Sequence, residues 1–344
     1  MFEEMRVRGI DRTVISYSAA ISACEKGGQW EKALQLFDEM RQVGLEPNTI
    51  VFSATISACE KGGQWERAIQ LFREMEHCGI ERNKITYSAA ISACEKCGQW
   101  EEAMNLFNDM SRRGVERDAI AYNATISACE KGGRWELAVD LLARMRAAGV
   151  APDTVSYSAA ISACGRAGQW ARARALFDEM GAAGVGRNTV TYTAMISAYE
   201  KGGRWEEALA LFDDMGRRGV ERNTITYNAT ISALEKGGRC DRALRLLDEM
   251  EREGVERCTV TYNAAIAACA RAGQWEPALR LFTDMGRRGV PRDALTHSVT
   301  IAAFRRSGQL ERALALFEAA AIEEMGRDGG RRAARALAAH AEED

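Results

Sequence analysis

Residues 189–223 read TVTYTAMISAYEKGGRWEEALALFDDMGRRGVERN, and most of the chain is this 35-residue stretch again. Full copies begin without a gap at Val14, Thr49, Lys84, Ala119, Thr154, Thr189, Thr224 and Thr259, and a ninth, altered copy begins at Ala294. Positions are numbered 1 to 35 within each copy, position 1 being Thr189 and position 35 Asn223 in the quoted stretch. A strict period of this length marks a solenoid, in which each unit buries an apolar face only by stacking on its neighbours.

The first half of the unit carries apolar residues at positions 4, 7, 8 and 11, which is helical spacing. A glycine at position 15, from Gly28 to Gly308, closes this helix A and allows a tight turn. In the second half Trp205, Ala208, Leu211, Phe212 and Met215 form one broad apolar stripe, so RWEEALALFDDM reads as an amphipathic helix B. Gly219 and its counterparts at position 31 then break the chain. Ile at position 8 and Ala at position 20 recur in all nine copies, as does Leu at position 23, and residues of fixed size imply close helix packing. The expected fold is all-α: a right-handed α-solenoid, or superhelix, of antiparallel helix pairs.

Residues 1–13 match positions 23–35, so the chain begins inside a partial repeat and a truncated N-terminus is expected. Eight full motifs fill 14–293, a divergent ninth 294–328, and a capping tail 329–344. No apolar run approaches the roughly 18 residues of a membrane span, and no membrane partner is expected. Six of the ten cysteines, Cys24, Cys59, Cys94, Cys129, Cys164 and Cys269, share position 11 and read as small core residues. The lone Cys94–Cys97 spacing has no second pair, so no metal and no cofactor is expected. The Trp column at position 17 reads as packing. No catalytic constellation stands outside the repeat columns, so the chain reads as a binder and not an enzyme.

The net charge of −3 argues against general polyanion binding, but its distribution is ordered. Position 13 is basic throughout: Lys26, Lys61, Lys96, Lys131, Arg166, Lys201, Lys236, Arg271 and Arg306. These form a positive line along the array, or they simply complement helix C-termini. Position 5 always holds a small hydrogen-bonding residue: Ser18, Ser53, Ser88, Asn123, Ser158, Thr193, Asn228, Asn263 and Ser298. Position 35 is Asn48, Asn83, Asp118, Asp153, Asn188, Asn223, Cys258 and Asp293. Position 2, one turn before position 5, is always aliphatic: Ile15, Ile50, Ile85, Ile120, Val155, Val190, Ile225, Val260 and Leu295. A polar pair beside an aliphatic side chain suits reading one base per unit. Helix N-capping is the plainer use of position 35, although capping alone would not hold position 5 to Ser, Thr or Asn.

With these columns in place the chain resembles the pentatricopeptide repeat family, of the plain type built only of 35-residue motifs. The motif VTYNxxIxAxxKxGxxxxAxxLFxxMxxxGxxPD is matched in register over residues 14–293. The main departure is at position 34, where the family favours Pro. Pro47 and Pro152 keep it, while Arg82, Arg117, Arg187, Arg222, Arg257 and Arg292 do not, which predicts a less rigid loop there. The resemblance implies single-stranded RNA as partner, one nucleotide per motif, with positions 5 and 35 selecting the base. It also implies that the position-2 aliphatics sandwich the base and that the position-13 cations lie near phosphates.

By the family's pairing, Ser18 with Asn48 and Ser53 with Asn83 imply adenine, and Ser88 with Asp118 guanine. Asn123 with Asp153 implies uracil. Ser158 with Asn188 and Thr193 with Asn223 imply adenine again. Asn228 with Cys258 implies a loose pyrimidine site, and Asn263 with Asp293 uracil. The implied target is 5′-AAGUAAYU-3′, Y being a pyrimidine. The resemblance further implies a monomer acting in a mitochondrion or chloroplast, in processing, stabilising or translating RNA, with processing factors as further partners. The alternative is a tetratricopeptide-like scaffold for proteins, whose 34-residue period and WxxLGxxY pattern fit less well.

Overall fold

Helical spacing in each half-repeat becomes two helices per repeat. The computed structural model describes residues 11–309 and 311. The A helices are Val14–Lys26, Thr49–Lys61, Lys84–Lys96, Ala119–Lys131, Thr154–Arg166, Thr189–Lys201, Thr224–Lys236, Thr259–Arg271 and Ala294–Arg306. The B helices are Trp30–Gln42, Trp65–His77, Trp100–Arg112, Trp135–Ala147, Trp170–Ala182, Trp205–Arg217, Cys240–Arg252 and Trp275–Arg287. Among the described residues there is no strand, and no helix is long and apolar enough to cross a membrane. Helix B of the ninth copy and the tail lie outside the described residues, as do residues 1–10.

The turn between the helices follows from glycine. Gly203 has φ 68°, a left-handed conformation that costs an L side chain energy. Around it the Arg204 N–H donates to Tyr199 O at 2.9 Å and the Gly203 N–H to Glu200 O at 3.2 Å. That pair of bonds satisfies the last carbonyls of helix A and ends it.

The chain divides into two compact units, Met1–Arg187 and Asn188–Asp344. Within each, an A helix packs on its own B helix and on the A helices of adjacent repeats, and each B helix also packs on the next A helix. Both units are thus α-solenoids of stacked helix pairs. Ile21, Ile56, Ile91, Ile126 and Ile161 in the first unit, and Ile196, Ile231 and Ile266 in the second, are fully buried. Ala208 and its counterparts at position 20 are equally buried, which lets the helices approach closely. Within each unit, where position 24 is Phe its ring meets the next repeat's position-4 ring edge to face, as Phe72 does Tyr87 and Phe212 does Tyr227, at 4.8 and 4.9 Å. Such pairs contribute about 0.5–1.5 kcal/mol beyond their burial.

Two packing features depart from the sequence expectation. Position 34 was expected to loosen its loop where Arg replaces Pro, yet the arginine ties the loop down. Arg82 Cζ lies 4.4 Å over the Phe72 ring, and its Nε donates to Phe72 O at 2.9 Å. Arg117, Arg187, Arg222 and Arg292 stack in the same way on Phe107, Phe177, Phe212 and Phe282. The guanidinium fork supplies the donors and the planar face that proline lacks.

The second departure concerns Cys269. The other position-11 cysteines, Cys24, Cys59, Cys94, Cys129 and Cys164, are free and buried as expected. Cys269 is instead joined in a disulfide to Cys240, with their Cα atoms 4.7 Å apart. Position 17 normally carries a tryptophan that crosses to the next repeat: Trp205 lies so near Gly237 that a Cβ there would come within 2.5 Å of its ring. Cys240 occupies that crossing position, which places its sulfur against position 11 of the following repeat.

Candidate functional site

Helix A opens with an orphaned first turn, whose N–H groups need acceptors. Position 35 supplies them. Asn48 Oδ1 accepts from the Val51 N–H, Asn83 Oδ1 from Thr86, Asp118 Oδ1 from Ala121, and Asn223 Oδ1 from Thr226, each at 3.0 Å. Asn188, Asp153 and Asp293 cap in the same way. Capping consumes one oxygen of each side chain and leaves the other polar atom uncommitted by the cap.

Position 5 of the same repeat reaches the position-35 side chain where it is long enough. Asn123 Nδ2 donates to both oxygens of Asp153, at 3.1 and 3.0 Å. Asn263 Nδ2 donates to Asp293 Oδ1 at 3.1 Å, and Asn228 Nδ2 to Cys258 Sγ at 3.6 Å. The shorter serines turn inward: Ser18 donates to Val14 O at 2.8 Å and Ser53 to Thr49 O at 2.6 Å. Ser88 Oγ is buried without a hydrogen-bond partner. Ser158 and Asn188 belong to different units. Ser298 is exposed at the start of the ninth repeat.

Charge at these sites follows from the bonds. The Thr296 N–H and hydroxyl hold the carboxyl of the exposed Asp293 below its usual range. Burial works to raise Asp153, but donors from Ser156 and Asn123 outweigh it and lower the carboxyl. Cys258 behaves likewise: burial opposes, while the Thr261 hydroxyl and N–H and the Asn228 amide lower the thiol below its ordinary value.

Position 2 gives the plainest signal. Ile15, Ile50, Ile85, Ile120, Val155, Val190, Ile225, Val260 and Leu295 are between 54% and 80% exposed, and among the described residues Val43 is the one other large exposed hydrophobic. Single exposed aliphatics need no explanation, but within each unit they recur in every repeat beside the capped polar pairs.

Position 13 is not a bare positive line. Lys61 pairs with Glu25 at 2.5 Å, Lys96 with Glu60 at 2.7 Å, Lys131 with Glu95 at 2.6 Å, Arg166 with Glu130 at 3.3 Å and Lys236 with Glu200 at 2.5 Å. Arg271 pairs with Glu235. Each cation thus meets position 12 of the preceding repeat. Lys61 Nζ also donates to Glu25 O at 3.2 Å and Arg306 Nη1 to Arg271 O at 3.4 Å, so the cations complement helix C-termini as well. The cations remain exposed, Lys26 and Lys201 among them. The acidic partners were legible as a Glu column at position 12, adjacent to the basic one. Lys84 was also missed: it lies at position 1, and its Nζ is 3.0 Å from Asp118 Oδ2.

Family comparisons agree with the repeat columns. A PPR repeat family model matches residues 12–61, 187–236 and 257–306, and a second PPR repeat model matches 225–255. A model of the pentacotripeptide-repeat region of PRORP matches 49–207. The chain belongs to the pentatricopeptide repeat family. Among solved structures it is similar to the pentatricopeptide repeat protein PPR10 from maize, at 25% identity and a TM-score of 0.56, covering 95% of this chain and 51% of that one. It is also similar in fold to a triple Cys-to-Ser variant of PPR10 in complex with an 18-nt psaJ RNA element. That match has 19% identity and a TM-score of 0.53, over 91% of this chain and 56% of the other. The chain therefore spans about half the length of the solved relatives it matches. None of the curated proteins matches the chain significantly.

Proposed function

We propose that this chain binds single-stranded RNA along the exposed face of its A helices, one nucleotide per repeat. The observation that carries the reading is the exposed position-2 column, Ile15 to Leu295, set beside the position-5 and position-35 polar pairs. A base slides between successive aliphatics, and the polar pair meets its edge. Aliphatic contacts hold a base less strongly than the roughly 1–3 kcal/mol of aromatic stacking, so several matched repeats act together. The RNA-bound relative of the same fold supports the choice of ligand.

Phosphates approach the position-13 column. An ammonium has three donors. In Lys61 one serves the Glu25 carboxylate and one its carbonyl, leaving one for a phosphate oxygen. The proposed target is 5′-AAGUAAYU-3′, and the proposed setting is the RNA metabolism of a mitochondrion or chloroplast. The chain is read as the binding part of that process, without catalysis of its own.

The test is a competition between AAGUAAUU and the same RNA with its guanine changed to adenine. The wild type prefers guanine at the third place, and Asp118→Asn reverses the preference. Equal binding of both RNAs by both proteins would leave an array that grips RNA without reading it. Preferential binding of a peptide library over any RNA would favour a protein scaffold instead.

A further inference from the structure

A hydroxyl carries one proton, and its destination decides whether the oxygen can donate to a ligand or only accept. Thr226, at position 3 of its repeat, is fully buried. Its N–H and its hydroxyl both donate to Asn223 Oδ1, at 3.0 and 2.9 Å. Its oxygen lies 2.8 Å from Thr193 Oγ1. Since the Thr226 proton is committed to Asn223, the bond between the hydroxyls runs from Thr193 to Thr226. Thr193 then presents an acceptor alone, and Asn223, with Oδ1 occupied twice, presents its Nδ2 donor. Adenine offers an N6–H donor beside a ring-nitrogen acceptor, which is complementary to that pair. Guanine offers two acceptors, O6 and N7, on the corresponding edge, and an acceptor-only Thr193 repels one of them.

Other repeats show parts of the same arrangement. The Ser156 hydroxyl donates to position 35 at Asp153 Oδ1 and Thr296 to Asp293 Oδ1, each at 2.9 Å, whereas the Thr261 hydroxyl donates directly to the position-5 Asn228 Oδ1 at 2.6 Å. Position 3 is instead Val51 and Ala121 behind the pairs Ser18–Asn48 and Ser88–Asp118, where no such hydroxyl exists.

We propose that the buried position-3 hydroxyl of the following repeat is a third determinant of base preference, fixing the proton of the position-5 reader. Thr226 is the case with the most complete geometry. It acts through Thr193 and Asn223 and is a positioning residue. The inference rests on the RNA reading above.

The test compares Thr226→Val with the wild type on RNAs carrying adenine or guanine at the sixth place, opposite repeat 189–223. Valine fills the same column natively at Val51. The variant is expected to lose about fivefold of the adenine preference, the effect of one hydrogen bond. The preference at the second place, read by Ser53 and Asn83, stays unchanged. Thr226→Ser keeps the hydroxyl and keeps the preference. In the converse variant, Ala121→Thr places a hydroxyl behind Ser88, whose Oγ has no hydrogen-bond partner, and weakens the guanine preference at the third place. A Thr226→Val protein with wild-type preference at the sixth place overturns the inference while leaving the RNA reading intact. A wild type indifferent to every base overturns both. Should Thr226→Val fail to fold, an unchanged third-place preference in Ala121→Thr overturns the inference alone.

Discussion

Lys96 Nζ lies 2.7 Å from Glu60 Oε1, a carboxylate one repeat upstream. The pair couples the proposed phosphate contacts to neutralising anions, because RNA must share each cation with a glutamate. Glu60→Gln releases Lys96. Affinity for RNA is expected to rise, and the log–log salt slope to steepen by about 0.7 per released cation. Titrations at several salt concentrations measure both. An unchanged slope would show that these cations serve the helices only.

Arg82 is expected to matter to stability more than its place in a loop suggests. Its side chain is 6% exposed, stacks on Phe72, and donates to Phe72 O and to Glu76 at 2.9 Å. Arg82→Ala strands a buried carbonyl and removes the stack, costing about 2 kcal/mol. The exposed Arg112→Ala serves as control and changes little. Urea unfolding midpoints decide between them, and equal midpoints would reduce the clamp to a surface contact.

Burial pushes the Cys59, Cys129 and Cys164 thiols up to about 11 and Cys94 to about 12. At neutral pH they carry almost no thiolate and are inert. Native alkylation followed by mass spectrometry is expected to label Cys78, Cys97 and Cys258, and to leave Cys59, Cys94, Cys129 and Cys164 unmodified. Non-reducing peptide maps should recover Cys240 linked to Cys269.

Lys84 bears on the guanine site. Its ammonium occupies Asp118 Oδ2, the oxygen that the cap leaves over. Lys84→Ala frees this acceptor for a base N–H. The guanine preference at the third place is expected to rise, even if total affinity falls with the lost cation. A preference that drops together with affinity would mean that Lys84 positions the carboxylate.

Acid should loosen the aspartate caps. The Asp293 carboxyl is held below its unfolded value of about 3.9. A depressed acid contributes stability that is present above the unfolded value and is lost as pH falls through the folded one. Asp293→Asn removes that titration, so the stability difference between wild type and variant should be constant above about pH 5, and below about pH 4 the wild type alone should lose this contribution. Parallel acid transitions would show that other carboxylates set the limit.

The helix pairs were legible because their signals are local. Apolar residues at positions 4, 8 and 11, the left-handed glycine at 15 and the stripe Trp205 to Met215 act within one repeat. The candidate reading columns were equally visible, since an aliphatic residue at position 2 that never meets the core still recurs nine times. Capping and pairing at position 35 looked like rival uses. In Asp153 they coexist, because a carboxylate has two oxygens and enough lone pairs for both.

Everything that joins one repeat to the next was decided by tertiary structure. Lys96 meets Glu60, 36 residues back; Cys240 meets Cys269 across a separation of 29; and Thr226 bridges Thr193, 33 residues away, to Asn223. Sequence periodicity places such residues in columns, but the axial offset between stacked helices decides which columns touch. That offset is set by how Ile231 and Ala208 and their counterparts interlock in the core, a matter of packed volumes that no local pattern encodes. The sequence by itself determined that this chain is an array of helix pairs with a repeating polar and aliphatic face. Only the tertiary structure determined that its cations come paired with anions, that its loop arginines clamp onto the ring of their own repeat, and that a buried hydroxyl stands behind the side chains proposed to read the bases.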